Sequence, residues 1–248
     1  MELFEESKFV IDAGNTRIKI AHFLKEEIKG LYHFSFEEWE NEQHSLKLIS
    51  RYPSILASVL NNIQTKCLID FFEPDVIMDS KTPVPINLAT YTSKTLGVDR
   101  IANAVASCKL MSKNSNSEFA LSIDIGTCIK FDLVNRTGHY LGGSISPGVL
   151  MRYKSLNEFT GALPLLNPTL VKLVGTSTEN SIHSGVMNGM IVEINGFIEQ
   201  YKQQYQHLTI FLTGGDAKMF DKALKSSIFV HENLTIEGLY LILLHNAK

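Results

Sequence analysis

A short acidic motif that occurs twice, half a chain apart, is the feature that most constrains how this sequence can fold. The first copy, Asp12-Ala-Gly-Asn-Thr16, follows an apolar run, and so does the second, Asp124-Ile-Gly-Thr127. The two aspartates are 112 residues apart in a chain of 248. Each copy opens a set of three predicted strands that leads into a helix. Recurrence of one motif at the same place in the same element order predicts an internal duplication of one structural unit.

The predicted elements give an α/β fold with two domains. Apolar runs predict strands, the first three forming an antiparallel meander, over residues 9–11, 18–24, 28–36, 54–60, 76–78, 119–123, 129–134, 140–145 and 209–212. Helical periodicity, with Asn62 as one N-cap, predicts helices over residues 36–52, 62–72, 98–111, 149–159, 179–206, 218–224 and 236–245. The polar, aperiodic residues 112–118 predict a linker. We therefore expect domains over residues 1–114 and 115–248, each a mixed sheet with helices.

Composition narrows the classes of function. The net charge of −3 and the pI near 6.2 provide no basic surface for nucleic acid. Residues 1–8 contain three glutamates and no apolar core, unlike a secretory signal, and no apolar run approaches the roughly 18 residues of a membrane helix. Cys67, Cys108 and Cys128 form no CxxC pair, and so sparse a set is typical of a reducing compartment. We expect a cytoplasmic protein that binds neither nucleic acid nor membrane.

The first motif has the composition of a phosphate-binding turn. Gly14 lets the backbone fold close to a bound group, and exposed amides with the Asn15 and Thr16 side chains can donate to phosphate oxygens. Arg17 or Lys19 can add positive charge, and strand alternation predicts that these two side chains share an environment. A motif of this kind on its own is equally typical of an Asn-Gly hairpin turn.

The second motif favours the phosphate interpretation, because it repeats an aspartate, a glycine and a threonine at residues 124, 126 and 127. Asp12 would act through Mg²⁺ or its waters, since a carboxylate and a phosphate repel each other. Two such turns facing each other across a cleft are characteristic of the actin, hexokinase and heat-shock ATPase architecture, and ligands favour clefts between domains.

Three other segments leave their interpretation open. Residues 142–148 contain three glycines and a proline, which is typical either of a tight turn or of a close approach of backbone or ligand. Thr213-Gly-Gly215 ends a predicted strand, and it suits either a nucleotide or an ordinary turn with Asp216 as a helix cap. Residues 176–179 have the composition of a capped helix start.

Asp99, in the segment Gly97-Val-Asp-Arg100, also has two interpretations. An aspartate near the start of a helix caps it and complements its dipole, and the residues alone favour this reading. Alternatively Asp99 is a general base, with Gly97 giving access and Arg100 gripping a substrate.

Taken in order, these segments resemble those of type III pantothenate kinases. The segments are Asp12-x-Gly-Asn-Thr-x-x-Lys19, Gly97-x-Asp-Arg100, Asp124-x-Gly-Thr127, Gly142-Gly-x-Ile-x-Pro-Gly148 and Thr213-Gly-Gly215. None is specific alone, but the five in this order extend over nearly the whole chain. The resemblance implies two ribonuclease-H-like domains of the actin-like ATPase superfamily around an interdomain cleft. It also implies ATP-dependent phosphorylation of the 4′-hydroxyl of pantothenate, the first step towards coenzyme A.

The resemblance further implies a role for each matching residue. ATP would be held by Asp12, Ala13, Gly14, Asn15, Thr16, Arg17, Ile18, Lys19, Thr127, Thr213, Gly214 and Gly215. Pantothenate would be held by Tyr91, Gly97, Val98, Asp99, Arg100 and Thr178, with Asp99 accepting the hydroxyl proton. Asp124 would bind a monovalent cation, K⁺ or NH₄⁺, in addition to the Mg²⁺ that accompanies ATP. Family members are homodimers, and residues 142–148 match a segment associated with the dimer interface.

The chain departs from the family pattern at two places. The second motif usually continues Gly-Thr-Ala-x-Thr, but here residues 126–130 read Gly-Thr-Cys-Ile-Lys, and a lysine there can alter ATP contacts or the cation requirement. Tyr91 lies six residues before Gly97 instead of the usual seven. Two alternative functions stay open: a kinase of the same fold acting on a sugar or other small alcohol, and a non-catalytic nucleotide-binding regulator.

Overall fold

A computed structural model describes residues 6–92, 95–224 and 227–247. Residues 1–5, which carry most of the predicted N-terminal segment, lie outside these ranges. The described residues form ten strands: β1 Ser7–Ala13, β2 Ile18–Leu24, β3 Glu27–Phe34, β4 Ser54–Ser58, β5 Val76–Ile77, β6 Phe119–Ile125, β7 Cys128–Asn135, β8 Tyr140–Pro147, β9 Leu208–Thr213 and β10 Phe229–Val230. The α-helices of the described residues are α1 Phe36–Leu46, α2 Asn62–Phe72, α3 Val98–Met111, α4 Val149–Glu158, α5 Thr178–His183, α6 Gly189–Gln204, α7 Ala217–Phe220 and α8 Leu234–Asn246.

The strands form two five-stranded sheets with the same topology. The first has the order β3-β2-β1-β4-β5, and the second, read in the same sense, has the order β8-β7-β6-β9-β10. In the first sheet β1 pairs antiparallel with β2 and parallel with β4. In the second sheet β6 pairs antiparallel with β7 and parallel with β9. This correspondence, strand by strand, confirms the duplication that the repeated motif predicts.

The chain divides into two compact units. The first contains the described residues up to Lys109, together with Gly138–Tyr140 and the described residues from Asn233 onwards. The second contains Leu110–Thr137 and Leu141–Glu232. The sequence-based boundary after residue 114 therefore differs from this division, chiefly because the last helix joins the first unit.

The packing of α8 explains this difference. A Cβ atom built on Gly238 would overlap the carbonyl oxygen of Ala102 in α3, so the two helix backbones are in contact. The Tyr240 ring stacks on Phe23 of β2 with the ring centroids 4.0 Å apart. The helix is apolar on most of its surface and is buried in the core of the first unit. The local sequence of α8 does not reveal this packing against residues far away along the chain.

Each face of the first sheet carries its own core. Val10 of β1 packs with residues of α3 and α8, whereas its neighbour Ile11 packs with residues of α1 and α2. Because side chains alternate along a strand, Asp12 lies on the same face as Val10. In the second unit one core covers one face of the sheet, with Ile123 of β6 among residues of α4 to α7.

Several element boundaries differ locally from the sequence-based ones. The helix predicted over residues 36–52 ends at Leu46 and continues as the 3₁₀ turn Lys47–Arg51. The N-cap of α2 is Asn61, whose side chain accepts a 2.9 Å hydrogen bond from the Gln64 amide, and not Asn62. The helix predicted over residues 179–206 is interrupted by a π-helical turn, Ser184–Asn188. Within the described ranges, none of the helices combines the length and the apolar character that crossing a bilayer requires.

Candidate active site

The first acidic hairpin joins β1 to β2. Asp12 and Lys19 lie directly opposite each other in the ladder, and the turn closes with a 3.0 Å hydrogen bond from the Gly14 amide to the Arg17 carbonyl. Residues 15–17 at the tip are exposed. The turn therefore presents its backbone and polar side chains to solvent, as the phosphate interpretation requires.

A depression of about 280 Å³ adjoins this hairpin. Its lining includes Gly14, Asn15, Thr16, Arg17 and Ile18, and also Phe36, Leu60, Asn61 and Gln64. The last four are functional candidates that the sequence reasoning missed. Asn61 donates from its side-chain nitrogen to the Gln64 Oε1 at 2.8 Å, and its N-cap pattern is the signal that could have drawn attention to this strand-to-helix turn.

Positive charge is concentrated beside the first hairpin. His33 of β3 lies opposite Lys19. Burial lowers the pKa of His33, and the charges of Lys19 and then Arg17 lower it further. Arg17 precedes the first residue of β2, so strand alternation does not fix its direction. Both cations lower the pKa of His33, whereas the shared environment of their side chains stays a prediction.

The second acidic hairpin joins β6 to β7. The last paired residues before its turn, Ile125 and Ile129, are one residue closer in sequence than Ala13 and Ile18 of the first hairpin. Its turn closes with a 3.1 Å hydrogen bond from the Gly126 amide to the Cys128 carbonyl. Asp124 lies opposite Lys130, and the Lys130 Nζ is 2.7 Å from the Asp124 Oδ2. Both side chains are mostly buried, with exposed fractions of 11% for Asp124 and 15% for Lys130. The exposed Thr127 is at the tip of the turn.

Two glycines hold the tip of the second hairpin from the ends of other strands. The Gly148 amide donates to the Thr127 carbonyl at 3.0 Å, and a Cβ on Gly148 would overlap the Gly126 carbonyl oxygen. A Cβ on Gly214 would overlap the Ile125 carbonyl oxygen. Both glycine-rich segments therefore contain a close approach of two backbones. For residues 142–148 this is one of the two interpretations that the sequence left open, and it applies at Gly148. The nucleotide role of residues 213–215 stays a prediction.

Residues 213–216 complete this arrangement. Thr213 is buried at the end of β9, and the Asp216 amide donates to the Ile125 carbonyl at 3.0 Å. Asp216 occupies the N-cap position of α7 without a side-chain cap hydrogen bond, and burial raises the pKa of its carboxyl group.

We expect Gly214→Ala to destabilise the protein by more than about 1 kcal/mol, because Gly214 combines a φ of +100° with no space for a Cβ. Gly215→Ala is the matched control, since a Cβ at Gly215 meets no heavy atom within 4 Å. Thermal unfolding of the two variants measures the difference. Equal melting temperatures would contradict the close approach at Gly214.

The start of α3 carries the candidate base. The Asp99 Oδ1 accepts a 2.9 Å hydrogen bond from the Arg100 amide. A Cβ on Gly97 would lie 2.6 Å from that same oxygen, so the carboxylate folds back over residue 97, and a side chain there would displace it. The position in the first turn favours an anionic side chain through the helix dipole. Asp99 is the second residue of α3, so this contact with the next amide orients the carboxylate but is not an N-cap hydrogen bond, which would reach two or three residues ahead.

Two tyrosines surround the next residue, Arg100. Its guanidinium is buried, with 4% of the residue exposed, and its Nη2 donates to the Tyr140 hydroxyl at 2.9 Å. The Tyr91 ring centroid is 5.9 Å from the guanidinium carbon, and its edge meets the Tyr140 ring with centroids 5.7 Å apart. Tyr91 thus contacts Arg100 despite its shifted spacing. Tyr140, which the sequence reasoning missed, carries no motif of its own.

Thr178 is the first residue of α5 and is exposed. The preceding Ser177 caps the helix by accepting a 3.2 Å hydrogen bond from the Asn180 amide. The capping interpretation of residues 176–179 is therefore confirmed, whereas the role of Thr178 in substrate binding stays a prediction.

Solved structures show the fold first. The chain resembles a Baf-family transcriptional activator from Campylobacter jejuni, with a TM-score of 0.63, 18% identity and coverage of 96% of this chain and 98% of that one. It also resembles the inorganic polyphosphate/ATP-glucomannokinase of Arthrobacter sp. strain KM, with a TM-score of 0.55, 13% identity and coverage of 97% and 99%. With the two matching sheets, these likenesses show a duplicated ribonuclease-H-like fold.

Sequence comparisons then identify the family. A family model described as type III pantothenate kinase matches residues 8–200. Type III pantothenate kinase of Flavobacterium johnsoniae is 37% identical over 243 residues, covering 92% of this chain and 94% of its own. That of Phocaeicola vulgatus is 39% identical over 249 residues, covering 96% and 98%. The chain belongs to the type III pantothenate kinase family.

Proposed function

We propose that this protein transfers the γ-phosphoryl group of ATP to the 4′-hydroxyl of pantothenate, the step that commits pantothenate to coenzyme A. Similarity to curated relatives along nearly the whole chain carries the proposal. The local geometry at the start of α3 supports it, because Asp99 and Arg100 are held there by specific contacts. The reaction is that of a phosphotransferase with an alcohol acceptor.

Asp99 is the proposed proton acceptor. Phosphoryl transfer depends mainly on positioning the hydroxyl in line with the γ-phosphate and on stabilising its charge. A carboxylate within hydrogen-bond reach of the hydroxyl can take its proton during the transfer. The Arg100 amide fixes one Asp99 oxygen, and the absence of a side chain at Gly97 leaves room for that carboxylate.

Arg100, Tyr91 and Tyr140 form the proposed framework of the substrate segment. A buried guanidinium held by a tyrosine hydroxyl and an aromatic ring loses little freedom when it grips a polar group. Arg100 has both contacts. With Val98 and Thr178 as further contacts, this framework would orient pantothenate so that its hydroxyl reaches Asp99.

ATP enters as its Mg²⁺ complex. The first hairpin, from Asp12 to Lys19, would hold phosphate through its exposed turn and its two cations, with Asp12 acting through waters on the Mg²⁺. Thr127 would add a contact from the second hairpin. Residues 213–215, where the backbone lacks side-chain bulk, would face the adenosine.

The family resemblance also implies a monovalent cation, K⁺ or NH₄⁺, bound by Asp124. The Asp124 carboxylate of this chain already pairs with the Lys130 ammonium. The residues present therefore do not fit a separate ion at that carboxylate.

A homodimer in the cytoplasm is the proposed state of the protein. β8 is an edge strand of the second sheet. On and beside it Ile145, Leu150 and Met151 are exposed, at 58%, 54% and 43%. Exposed apolar side chains suit an association surface when they form one contiguous patch, and these lie in or next to residues 142–148, the segment that the resemblance links to the dimer.

A ligand panel tests the substrate class. In the presence of a non-hydrolysable ATP analogue, we expect pantothenate to raise the melting temperature and hexoses to leave it unchanged. A ligand at about 100 times its Kd adds roughly 2.7 kcal/mol of stability, which such a scan resolves. A shift with a hexose and none with pantothenate would favour the sugar-kinase alternative. A shift with the ATP analogue alone would favour a nucleotide-binding regulator.

A further inference from the structure

The Lys130–Asp124 pair occupies a defined place in the second hairpin. The two residues lie opposite each other on adjacent strands, on the face that does not carry the apolar core. The ammonium nitrogen is 2.7 Å from the Asp124 Oδ2, and both side chains are mostly buried. Asp132, two residues further along the same face of β7, is fully buried. Lys130 thus lies in an acidic, largely dehydrated environment, where a charge–charge contact is weakly screened.

The surroundings of the Asp124 carboxylate leave little space for a further ion. Oδ2 contacts the Lys130 ammonium. Oδ1 occupies the space that a side chain at residue 214 would take, since a Cβ built on Gly214 would lie 2.5 Å from it. A mobile cation at this carboxylate would have to displace a tethered ammonium or share the anion with it at close range, and two like charges in a poorly screened site repel strongly.

The first hairpin carries the same pair at the corresponding place. Asp12 and Lys19 face each other one ladder position from the turn, as Asp124 and Lys130 do. Lysine at residue 130 therefore gives the second hairpin the charge arrangement of the first. A hairpin of this design is compatible with a phosphate-binding role, because the pair lies behind the turn and leaves its tip exposed.

We propose that the Lys130 ammonium is a built-in monovalent cation, so that MgATP binding and turnover by this protein require neither K⁺ nor NH₄⁺. A lysine side chain is a substituted ammonium with three N–H donors, which can supply the positive charge and the hydrogen bonds of an ammonium ion without an entropic cost of capture. The inference deepens the proposed function and rests on it for the turnover part alone.

The test compares the wild-type protein with Lys130→Thr, which restores the threonine of the usual family pattern. MgATP affinity is measured by calorimetric titration, and turnover by pantothenate-dependent ADP release, in sodium, potassium and ammonium salts at equal ionic strength. The wild type should give the same values in all three salts. Lys130→Thr should bind MgATP weakly in sodium and gain about 5- to 150-fold in affinity with potassium or ammonium, the usual range of coupling between two bound ligands.

Lys202→Ala is the matched control. It removes a more exposed lysine of the second unit that pairs with Glu199 on α6, and it should behave like the wild type in every salt. Melting temperatures without nucleotide distinguish the proposed role from a purely structural role of Lys130. If the role were purely structural, Lys130→Thr would be less stable by the same amount in all salts, and its MgATP affinity would not respond to potassium. That result would overturn the proposal.

Potassium dependence of MgATP binding by the wild type would also overturn it, and this comparison needs no variant to fold. Salt-independent MgATP binding by the wild type without pantothenate turnover would count against the proposed function and support the built-in cation. Pantothenate turnover that requires potassium would support the proposed function and count against the built-in cation. A protein that binds no MgATP in any salt would contradict both.

Discussion

Replacing Asp99 with asparagine should lower kcat for pantothenate phosphorylation by roughly 10²- to 10⁴-fold, the usual contribution of a positioned general base. Asparagine is nearly isosteric and keeps an oxygen for the Arg100 amide, so the local fold should survive. Steady-state ADP release gives kcat, and a melting scan with and without MgATP verifies that folding and nucleotide binding are intact. Asp99→Ala should show the same loss of kcat.

Asp70→Asn is the matched control for this experiment. Asp70 is an exposed carboxylate on α2 of the same unit, and its replacement should leave kcat unchanged. Gly97→Ala gives a second, independent perturbation, because its added methyl group would displace the Asp99 carboxylate. Near-normal turnover by Asp99→Asn would refute the assignment of Asp99 as the base and leave it an anionic residue of the first helical turn.

A second large effect is expected in the core of the first unit, at Gly238. The added Cβ of Gly238→Ala would overlap the Ala102 carbonyl oxygen, so α8 must move away from α3. Overpacking of this kind costs about 1–3 kcal/mol, although alanine is intrinsically the better helix former. The melting temperature of the variant should fall, by about 2–4 °C for each kcal/mol in a chain of this size.

Gly196→Ala makes the same chemical change in α6 and should have the opposite sign. A Cβ at Gly196 meets no heavy atom within 4 Å, so only the helix propensity counts, and the variant should gain roughly 0.5–1 kcal/mol. Parallel denaturation of both variants measures the contrast. Stabilisation by Gly238→Ala would contradict the contact between α8 and α3 and, with it, the inclusion of the last helix in the first unit.

Much of the fold follows from local pattern. The repeated aspartate and glycine at residues 12, 14, 124 and 126 fix two hairpins, and the apolar runs around them fix which strands pair. Strand alternation then determines which residues enter the core, as Ile11 and Ile123 do. These features depend on neighbours in sequence, and for that reason they can be predicted without a structure.

The rest of the fold depends on partners far along the chain. The residues next to Gly238 in sequence do not predict its contact with the Ala102 carbonyl. Those next to Gly148 do not predict its contact with the Gly126 carbonyl. The Tyr140 contact with Arg100 likewise joins residues 40 positions apart.

The candidate site likewise has features that the sequence predicts and contacts that it does not. The glycine-rich and acidic segments are visible as motifs in the sequence, but the contact between Lys130 and Asp124 is not. In the sequence Lys130 was only a departure from a pattern. Its ammonium at 2.7 Å from the Asp124 carboxylate makes it a candidate replacement for an ion. A motif marks where chemistry occurs, whereas the distances between side chains determine which ions the site can accept.

The most direct test of the account is ADP release by the purified protein with ATP and Mg²⁺, measured with pantothenate, with a hexose and without an acceptor. We expect release that requires pantothenate and yields one phosphorylated pantothenate for each ADP. Release at the same rate without pantothenate, or with the hexose in its place, would contradict the proposed activity.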